Sequence, residues 1–449
     1  MNHKNLFILE KMPIKKAVIT LIVPTILSMM VQVFYNLTDT FFIGKLNDPY
    51  QVAAVTITMP LFMMLMALSG IFGNGAASYI SRLLGQKRYK DARSTSSLAL
   101  FCITIMGLLI SIFANIYIKH ILDAVGTSPN TYEYCRKYLA IILYGAIPIM
   151  LNFAMSQLLR SEGNAKIVFI GMIVGTGANI ILDPIFIFVL KQGVVGAAVA
   201  TVIGNVLSLL YYIYYYLKFK GLATPSFRFI RFKSEYFKEI LKIGLPTSLS
   251  QLMMSVGSSI SYKLASDYGD HALAAMGVSQ RVISIVIFTF IGLANGIQPL
   301  IGYSYGAGNT KRLRDSLSFS TRLGLSLAVV FVLSFLFFSK YAVIIFINDE
   351  QVIEFGSKML LVFTAAIPFA VLQMIYMVTL QAMGKAIPSL IVSLSRQGLI
   401  YIPLVLILNK YFQFDGLIWA MPITDILTSI IAFLFFYPLI YKIDHSIKE

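Results

Sequence analysis

The sequence VQVFYNLTDTFFIG, residues 31–44, belongs to a long apolar run that nevertheless contains Gln32, Asn36 and Asp39. The run starts near Ala17 and exceeds the ~20 apolar residues that a helix needs to cross a bilayer. The whole chain of 449 residues repeats this pattern, with 58% hydrophobic and only 12% charged residues and a mean hydropathy of +0.79. These features predict an all-α polytopic membrane protein and not a closed β-barrel, whose segments would be short and alternating.

Twelve segments are candidates for membrane-spanning helices, which we number as spans 1 to 12. They are predicted at 17–44, 51–81, 94–118, 138–159, 167–190, 194–217, 243–266, 272–304, 315–339, 359–382, 387–409 and 414–440. Of the 36 Lys and Arg residues, 25 lie in connections on the N-terminal side and 8 on the other side. The positive-inside rule then places both termini in the cytoplasm. The N-terminal segment is predicted to be a cytoplasmic tail before an uncleaved first span.

The net charge of +16 resides mostly in these connections, so it indicates membrane orientation and not a nucleic-acid partner. All four histidines lie in loops or tails, and no cluster has the spacing of metal ligands. We therefore expect no cofactor, no intramembrane enzyme and no metal site, apart from Na⁺ if Na⁺ is the transported ion.

The two halves of the chain resemble each other. PTILS at 24–28 recurs as PTSLS at 246–250, and GQKRYKDAR at 85–93 has a counterpart in GAGNTKRLR at 306–314. Parallel repeats of six spans predict two lobes related by a pseudo-two-fold axis along the membrane normal, with a cavity between them. The predicted division is an N-terminal lobe at 1–217, a linker at 218–242 and a C-terminal lobe at 243–449.

Three carboxylates lie inside spans: Asp39, Asp183 and Asp425. Such residues usually face a cavity and have a functional role. At ~1.5 Å per residue, Asp39, Asp183 and Thr201 lie roughly 8–11 Å below the outer surface. Together they predict a site in the first lobe that binds Na⁺ through oxygen ligands or H⁺ on a carboxylate. The amide companions at this site are Asn36, Asn179 and Asn205. As the alternative, Asp39 could cap a helix end and Asp183 could stabilise a kink at Pro184.

Asp425 lies deeper and is expected to pair with Arg396 on the adjacent span 11. We weigh a structural ion pair against a role in the cavity of the second lobe. The residues predicted to line the substrate cavity are Met29, Gln32, Tyr35, Asn152, Met155, Ser156, Arg281, Arg396 and Asp425. The predicted hinges are Pro24, Pro184 and Pro246, since proline removes a backbone donor from a helix.

The 6+6 arrangement, QVFYNLTDTFFIGKL (32–46), ANIILDPIFIF (178–188) and VGAAVAT (195–201) resemble the multidrug and toxic compound extrusion (MATE) transporters. Within that family the chain is similar to the DinF-like branch, including the MepA-like exporters of Gram-positive bacteria. The resemblance implies a V-shaped pair of lobes. It also implies that Asp39, Asn179, Asp183 and Thr201 match the cation site of the first lobe. Spans 7 and 10, where other branches carry acidic residues in the second lobe, contain none here.

The expected function is therefore cation-coupled (H⁺ or Na⁺) antiport that exports lipophilic, often cationic drugs by alternating access. The protein is expected in the bacterial cytoplasmic membrane, as a monomer whose partners are small-molecule drugs and the lipid bilayer. The alternative is a flippase or exporter of a lipid-linked or anionic amphiphile, which Lys263, Arg281 and Arg396 would favour.

Overall fold

The computed structural model describes residues 3–46 and 48–445, and within these ranges the chain is helical and contains no strand. The α-helices are α1 (His3–Glu10), α2 (Ile14–Gly44), α3 (Pro49–Gly85), α4 (Tyr89–Ile116), α5 (Ile118–Val125), α6 (Pro129–Tyr144), α7 (Ala146–Ser161), α8 (Ala165–Pro184), α9 (Val194–Phe219), α10 (Ser234–Ser266), α11 (Asp270–Gly306), α12 (Thr310–Ile344), α13 (Glu350–Thr364), α14 (Ile367–Ala382), α15 (Ala386–Leu394) and α16 (Tyr401–His445). Two π-helical turns lie at Ile185–Val189 and Ser395–Leu399.

These helices form the twelve predicted spans in two six-helix lobes. Among the described residues, eight helical segments are long and apolar enough to cross a membrane, and ten if each of two bent pairs counts as one span. One of the eight, Ala386–Tyr441, contains both spans 11 and 12, which meet at a sharp turn where Gln413 has φ 51°. Span 7 is α10, whose many serines lower its hydropathy. The predicted all-α, two-lobe architecture is confirmed.

Several helix ends differ from the predicted ranges. Helix α10 begins at Ser234 and not at residue 243, so the connection between the lobes is shorter than predicted. The N-terminal segment contains the helix α1, where only a tail was predicted, and α5 was not predicted at all. Polar residues explain these errors, because hydropathy marks where a helix leaves the bilayer and not where it ends.

Spans 4 and 10 are bent at equivalent places in the two lobes. Helices α6 and α7 meet at 55°, and α13 and α14 at 51°. In each case the same tripeptide, Ala-Ile-Pro, lies at the start of the second helix, at Ala146–Pro148 in one lobe and at Ala366–Pro368 in the other, where Ala366 is the N-cap. Proline fits the first turn of a helix. Because proline has no backbone NH to donate to the preceding turn, the helix that precedes it ends there.

The two lobes pack together at the end of the bundle where residues 220–233 connect them, which we call the linker end. The Ser248 hydroxyl on α10 donates to the Ala67 carbonyl on α3 at 2.6 Å. The Ser78 hydroxyl on α3 donates to the Gln381 carbonyl on α14 at 2.5 Å. Close approach of α3 and α10 requires glycine, because a Cβ on Gly244 would overlap the backbone of α3.

An ion pair and an apolar core reinforce this packing. Arg82 on α3 and Glu239 on α10 lie 3.0 Å apart. The largest buried apolar cluster includes Leu21 on α2, Ile80 on α3 and Ile297 on α11, so it joins both lobes. The lobes are therefore closed against each other at the linker end.

The connection between the lobes is anchored on Glu162, a buried residue just after α7. Its carboxylate accepts from the Tyr216 hydroxyl at 2.9 Å and from the Leu222 backbone NH at 2.7 Å. Burial raises the pKa of Glu162 to about 7, although the two donors oppose this shift.

Helix α1 bridges the two lobes at the linker end. On the first lobe, the Asn5 amide donates to the Asn164 side chain at 2.5 Å. On the second lobe, the buried Arg312 guanidinium donates to the carbonyls of Ile8, Leu9 and Met12 at 3.0, 2.7 and 2.9 Å. These are carbonyls at the C-terminal end of α1, where a cation is favourable.

Candidate functional site

The centre of the first lobe is a hydrogen-bonded group of buried side chains on α8 and α9. Asn179 and Asp183 are one turn apart on α8, and Thr201 on α9 faces them. In the orientation that satisfies both ends of its amide, Asn179 donates to Asp183 Oδ2 at 2.9 Å and accepts from the Thr201 backbone NH at 3.1 Å. The amide thus fixes the carboxylate of one helix relative to the next.

Helix α2 adds a second carboxylate and a phenol to this group. The Tyr35 hydroxyl lies 3.4 Å from the Thr201 hydroxyl. Asp39, one turn along α2, interacts electrostatically with Asp183, so the two carboxylates are near neighbours. Within the described part of the chain, no hydrogen bond reaches the Asp39 carboxylate, which is only half-buried. Asp39 is therefore the more accessible acid, and Asp183 is the one held by the protein.

Tyr138 on α6 is a member of this site that the sequence analysis missed. It is close enough to interact electrostatically with both Asp39 and Asp183. A tyrosine in an apolar span looks like an ordinary core or lipid-facing residue. The predicted span 4 starts at residue 138 and so puts Tyr138 at the membrane surface, whereas α6 begins at Pro129 and carries Tyr138 to the level of the two acids.

Asn205 and Asn152 extend the polar group deeper into the lobe. The Asn152 amide donates to Asn205 Oδ1 at 2.9 Å, and Asn205 donates to the Thr201 carbonyl at 2.9 Å. The Oδ1 atom of Asn152 is buried without a partner among the described residues. A free buried acceptor is costly unless a ligand donates to it, so Asn152 is a candidate contact for a substrate N–H group.

Other predicted residues lie outside this group. Asn36 is exposed and its side chain pairs only with Gln32, at 3.2 Å, within the described structure. Met29 and Met155 are buried, and the Ser156 hydroxyl donates to the Phe153 carbonyl of its own helix. The structure therefore brings together the residues predicted on α8 and α9 with Asp39 and Tyr35, but not Asn36.

Arg281 lies elsewhere, in a mouth between α2 and α11 at the end of the bundle opposite the linker end. It lines a cavity of about 430 Å³ together with Leu37, Thr40, Phe41, Gly44 and Lys45. This mouth is basic and aromatic, and it is distinct from the site of the two acids.

The second lobe contains the ion pair expected from the sequence. Arg396 Nε donates to Asp425 Oδ1 at 2.7 Å, and both side chains are buried. Arg396 lies on the π-helical turn Ser395–Leu399, and Asp425 lies in α16.

The three predicted hinge prolines lie in spans 1, 5 and 7. Pro24 and Pro246 lie inside the continuous helices α2 and α10, and Pro184 ends α8 just before the π-helical turn at Ile185–Val189. The Ser28 hydroxyl donates to the Pro24 carbonyl at 2.8 Å. Each proline leaves one carbonyl of the preceding turn without its usual NH partner.

The first-lobe site has the chemistry of a cation site. Two carboxylates lie close to the Thr201 hydroxyl, and of these Asp183 is buried and Asp39 is half-buried. Oxygen ligands of this kind suit hard cations such as Na⁺, and two close carboxylates share protons because ionising both is unfavourable. In the described residues, no three His, Cys, Asp or Glu side chains group as a multidentate metal site.

Comparison with known proteins agrees with this arrangement. The family model MatE matches the chain twice, over residues 24–185 and 246–407. The chain belongs to the MATE family. The two matches start at the equivalent prolines of spans 1 and 7, so the repeat found in the sequence is the repeat of the family model.

Full-length relatives and solved structures support the assignment to MATE. The chain is similar to the multidrug export protein MepA of Staphylococcus aureus (strain N315), with 31% identity over 440 residues, 97% of this chain and 96% of the relative. MepA of Staphylococcus saprophyticus is also 31% identical, over 443 residues and the same shares.

The fold matches a structure described as the outward-facing conformation of a multidrug resistance MATE family transporter. Its TM-score is 0.93 at 27% identity, covering 98% of this chain and 99% of that one. A MATE in the bent conformation matches with a TM-score of 0.91 at 27% identity and 99% coverage of both chains. This MATE protein is thus an integral membrane transporter and not an enzyme.

Proposed function

We propose that this MATE protein is an antiporter that exports lipophilic, often cationic drugs in exchange for H⁺ or Na⁺. The observation that carries the proposal is the pairing of accessible Asp39 with buried Asp183, which the Asn179 amide ties to α9. The MepA relatives are named multidrug export proteins, which supports a drug as cargo. The transporter works as a monomer in the bacterial cytoplasmic membrane, with both termini and the linker end on the cytoplasmic side.

The mechanism follows from the cost of burying charge. With the linker end closed, a cation enters from outside, binds first at Asp39 and neutralises its repulsion with Asp183. Neutralisation lets α2 approach α8 and α9 more closely, and Pro24 supplies the position at which α2 bends. Movement of α2 reshapes the cavity around Tyr35 and Asn152 and expels the drug. The lobes then open at the linker end, where the cation leaves and a new drug molecule binds.

The test is transport of rhodamine 123, a lipophilic cation, across proteoliposomes under a pH gradient alone, a Na⁺ gradient alone and no gradient. Movement driven by one gradient is expected, and its loss in D183N identifies the carboxylate as the coupling group. D123N, the same change at an exposed residue of α5, is the matched control and keeps wild-type transport. If neither gradient moves the dye, the antiporter proposal fails.

A second function is favoured by the basic mouth at Lys45 and Arg281. These two cations, beside Leu37 and Phe41, suit an anionic amphiphile. Export of a lipid-linked or anionic amphiphile is the alternative to drug export. If the protein exports an anionic amphiphile, K45Q/R281Q should abolish transport of an anionic lipid probe. If it is a drug antiporter, the same variant should retain rhodamine 123 export.

A further inference from the structure

The polar centre of the second lobe is built on the Arg396–Asp425 ion pair. Both side chains are more than nine-tenths buried, with exposed fractions of 9% and 8%. Arg396 lies on a π-helical turn, an irregularity that is frequent at functional sites because it displaces side chains from the regular helix.

The pairing leaves much of the guanidinium unused. Among the described residues, Arg396 Nε donates to Asp425 Oδ1, and no residue accepts a hydrogen bond from Nη1 or Nη2. Neither Nη atom belongs to the fully buried nitrogens that lack a partner, so each keeps some exposed surface. A guanidinium has five donors and binds carboxylates through two parallel hydrogen bonds.

Arg312 shows how the same protein uses a buried arginine structurally. Its Nε, Nη1 and Nη2 atoms donate to three separate backbone carbonyls of the segment that contains α1. Arg396 differs, because its Nη atoms have no partner among the described residues and keep some exposed surface. The difference between Arg312 and Arg396 indicates that Arg396 keeps its Nη atoms for a ligand.

The surroundings of the pair suit the lipophilic part of a substrate. The Tyr401 hydroxyl is 2.5 Å from the Ser261 hydroxyl on α10, and Tyr401 interacts electrostatically with Asp425. The backbone of the π-helical turn at Gly398 approaches Met253 closely, without an intervening side chain. A thioether and an aromatic ring next to a charged group can accommodate varied apolar surfaces.

The repeat gives the second lobe a chemistry unlike that of the first. Asp425 is equivalent to Asn205, which lies in a neutral amide pair with Asn152. At the position of Asn205 the second lobe thus has a carboxylate, and its partner is Arg396 on span 11 and not an amide on span 4, so the pair has one positive and one negative end. A neutral dipole favours neither a lone cation nor a lone anion, but it matches a ligand that carries both charges.

We infer that Arg396 and Asp425 form a binding site for zwitterionic amphiphiles, in which Arg396 Nη1 and Nη2 hold a carboxylate and the Asp425 side faces a cationic nitrogen. The inference rests on the proposed export function and specifies a class of its substrates. In this arrangement the two acids of the first lobe, Asp39 and Asp183, bind the coupling cation and not the substrate.

Two dyes test the inference because they differ by one methyl ester. Rhodamine 110 has a free carboxylate and a cationic ring system, and rhodamine 123 is its methyl ester and a simple cation. The wild type is expected to export both from proteoliposomes. The neutral double variant R396Q/D425N should lower rhodamine 110 export at least about tenfold, the size expected for a lost bidentate charge-assisted pair, and keep rhodamine 123 export within about twofold.

The ratio of the two dyes, measured in one preparation, is independent of how much protein folds. K358Q/D415N is the matched control: it removes an exposed ion pair of the same lobe and should leave the dye ratio as in the wild type. An equal change of the ratio in both double variants would overturn the inference. An unchanged dye ratio in R396Q/D425N overturns the inference and assigns the pair a structural role. Wild-type export of rhodamine 123 without rhodamine 110 also overturns it and leaves the proposed function standing, whereas export of neither dye removes both.

Discussion

Asn179 and Asp183 lie one turn apart on α8, and the amide of the first donates to the carboxylate of the second at 2.9 Å. The same amide accepts from the backbone of α9. A buried carboxylate that belongs to a network across two helices transmits a change in its charge to both of them.

Asn179→Leu is therefore expected to reduce gradient-driven rhodamine 123 export at least about tenfold, because it removes the only side chain that links Asp183 to α9 in the described structure. Asn36→Leu, the same change at an exposed amide of α2, should leave export within about twofold. Initial rates in proteoliposomes measure both. Equal losses in the two variants would contradict a specific role of the buried network in coupling the ion to transport.

Glu162 is expected to make stability depend on pH. Its pKa is raised from 4.5 to about 7, mainly by burial, so the folded protein holds a proton that the unfolded chain releases across this window. The free energy of unfolding therefore falls as pH rises from 4.5 to 7, by about 3 kcal/mol, and it is unaffected by this group below pH 4.5.

E162Q cannot ionise, so its melting temperature in detergent should change less between pH 5 and pH 8 than that of the wild type. E133Q is the control: Glu133 is exposed and its pKa is lowered by Arg136, so this variant keeps the wild-type decrease. A full decrease in E162Q would contradict the assignment of the proton to Glu162.

Gly244→Ala is expected to force the lobes apart at the linker end. A Cβ at this position would overlap the Ile71 carbonyl oxygen, and backbone atoms cannot move aside as a side chain can. We expect a loss of at least ~5 °C in melting temperature. At Gly177, on α8, a Cβ meets nothing within 4 Å, so Gly177→Ala should be neutral or stabilising by up to about 1 kcal/mol. Equal melting temperatures in G244A and the wild type would rule out tight backbone contact between α3 and α10.

Arg312→Gln is expected to loosen α1 because it removes most of the hydrogen bonds to its C-terminal carbonyls. Backbone amides of α1 should exchange with deuterium at least about tenfold faster, while those of α11 stay protected. Lys311→Gln removes the neighbouring exposed charge and serves as the control. If the amides of α1 exchange equally slowly in R312Q and K311Q, the hydrogen bonds of Arg312 do not hold α1, and the apolar packing of Leu9 is sufficient.

The sequence was most informative where burial of charge is expensive. Asp39, Asp183 and Thr201 could be grouped by depth, because a carboxylate in a span needs a cavity or a partner, and few residues at that level supply one. The Arg396–Asp425 pair could be predicted for the same reason, since each charge needed the other. The repeat at 24–28 and 246–250 gave the two-lobe architecture.

What could not be predicted depends on where neighbouring helices lie. Asn36 shares a face of α2 with Gln32 and Asp39, but helical spacing alone does not show where the contact with α8 ends, and Asn36 is exposed. Tyr138 was missed because an aromatic residue in a span costs nothing and so gives no signal. Glu162 was missed because an acid in a loop is normally solvated, and only the position of Tyr216 and Leu222 buries it.

The hydroxyl bonds between the lobes give the transport cycle a dependence on water itself. Ser248 and Ser78 donate to carbonyls across the closed linker end. When the lobes part, both hydroxyls lose these carbonyl acceptors and need water as a partner. Parting the lobes would hydrate this surface and closing them would dry it, so an excluded osmolyte that lowers water activity favours the state that is closed at the linker end.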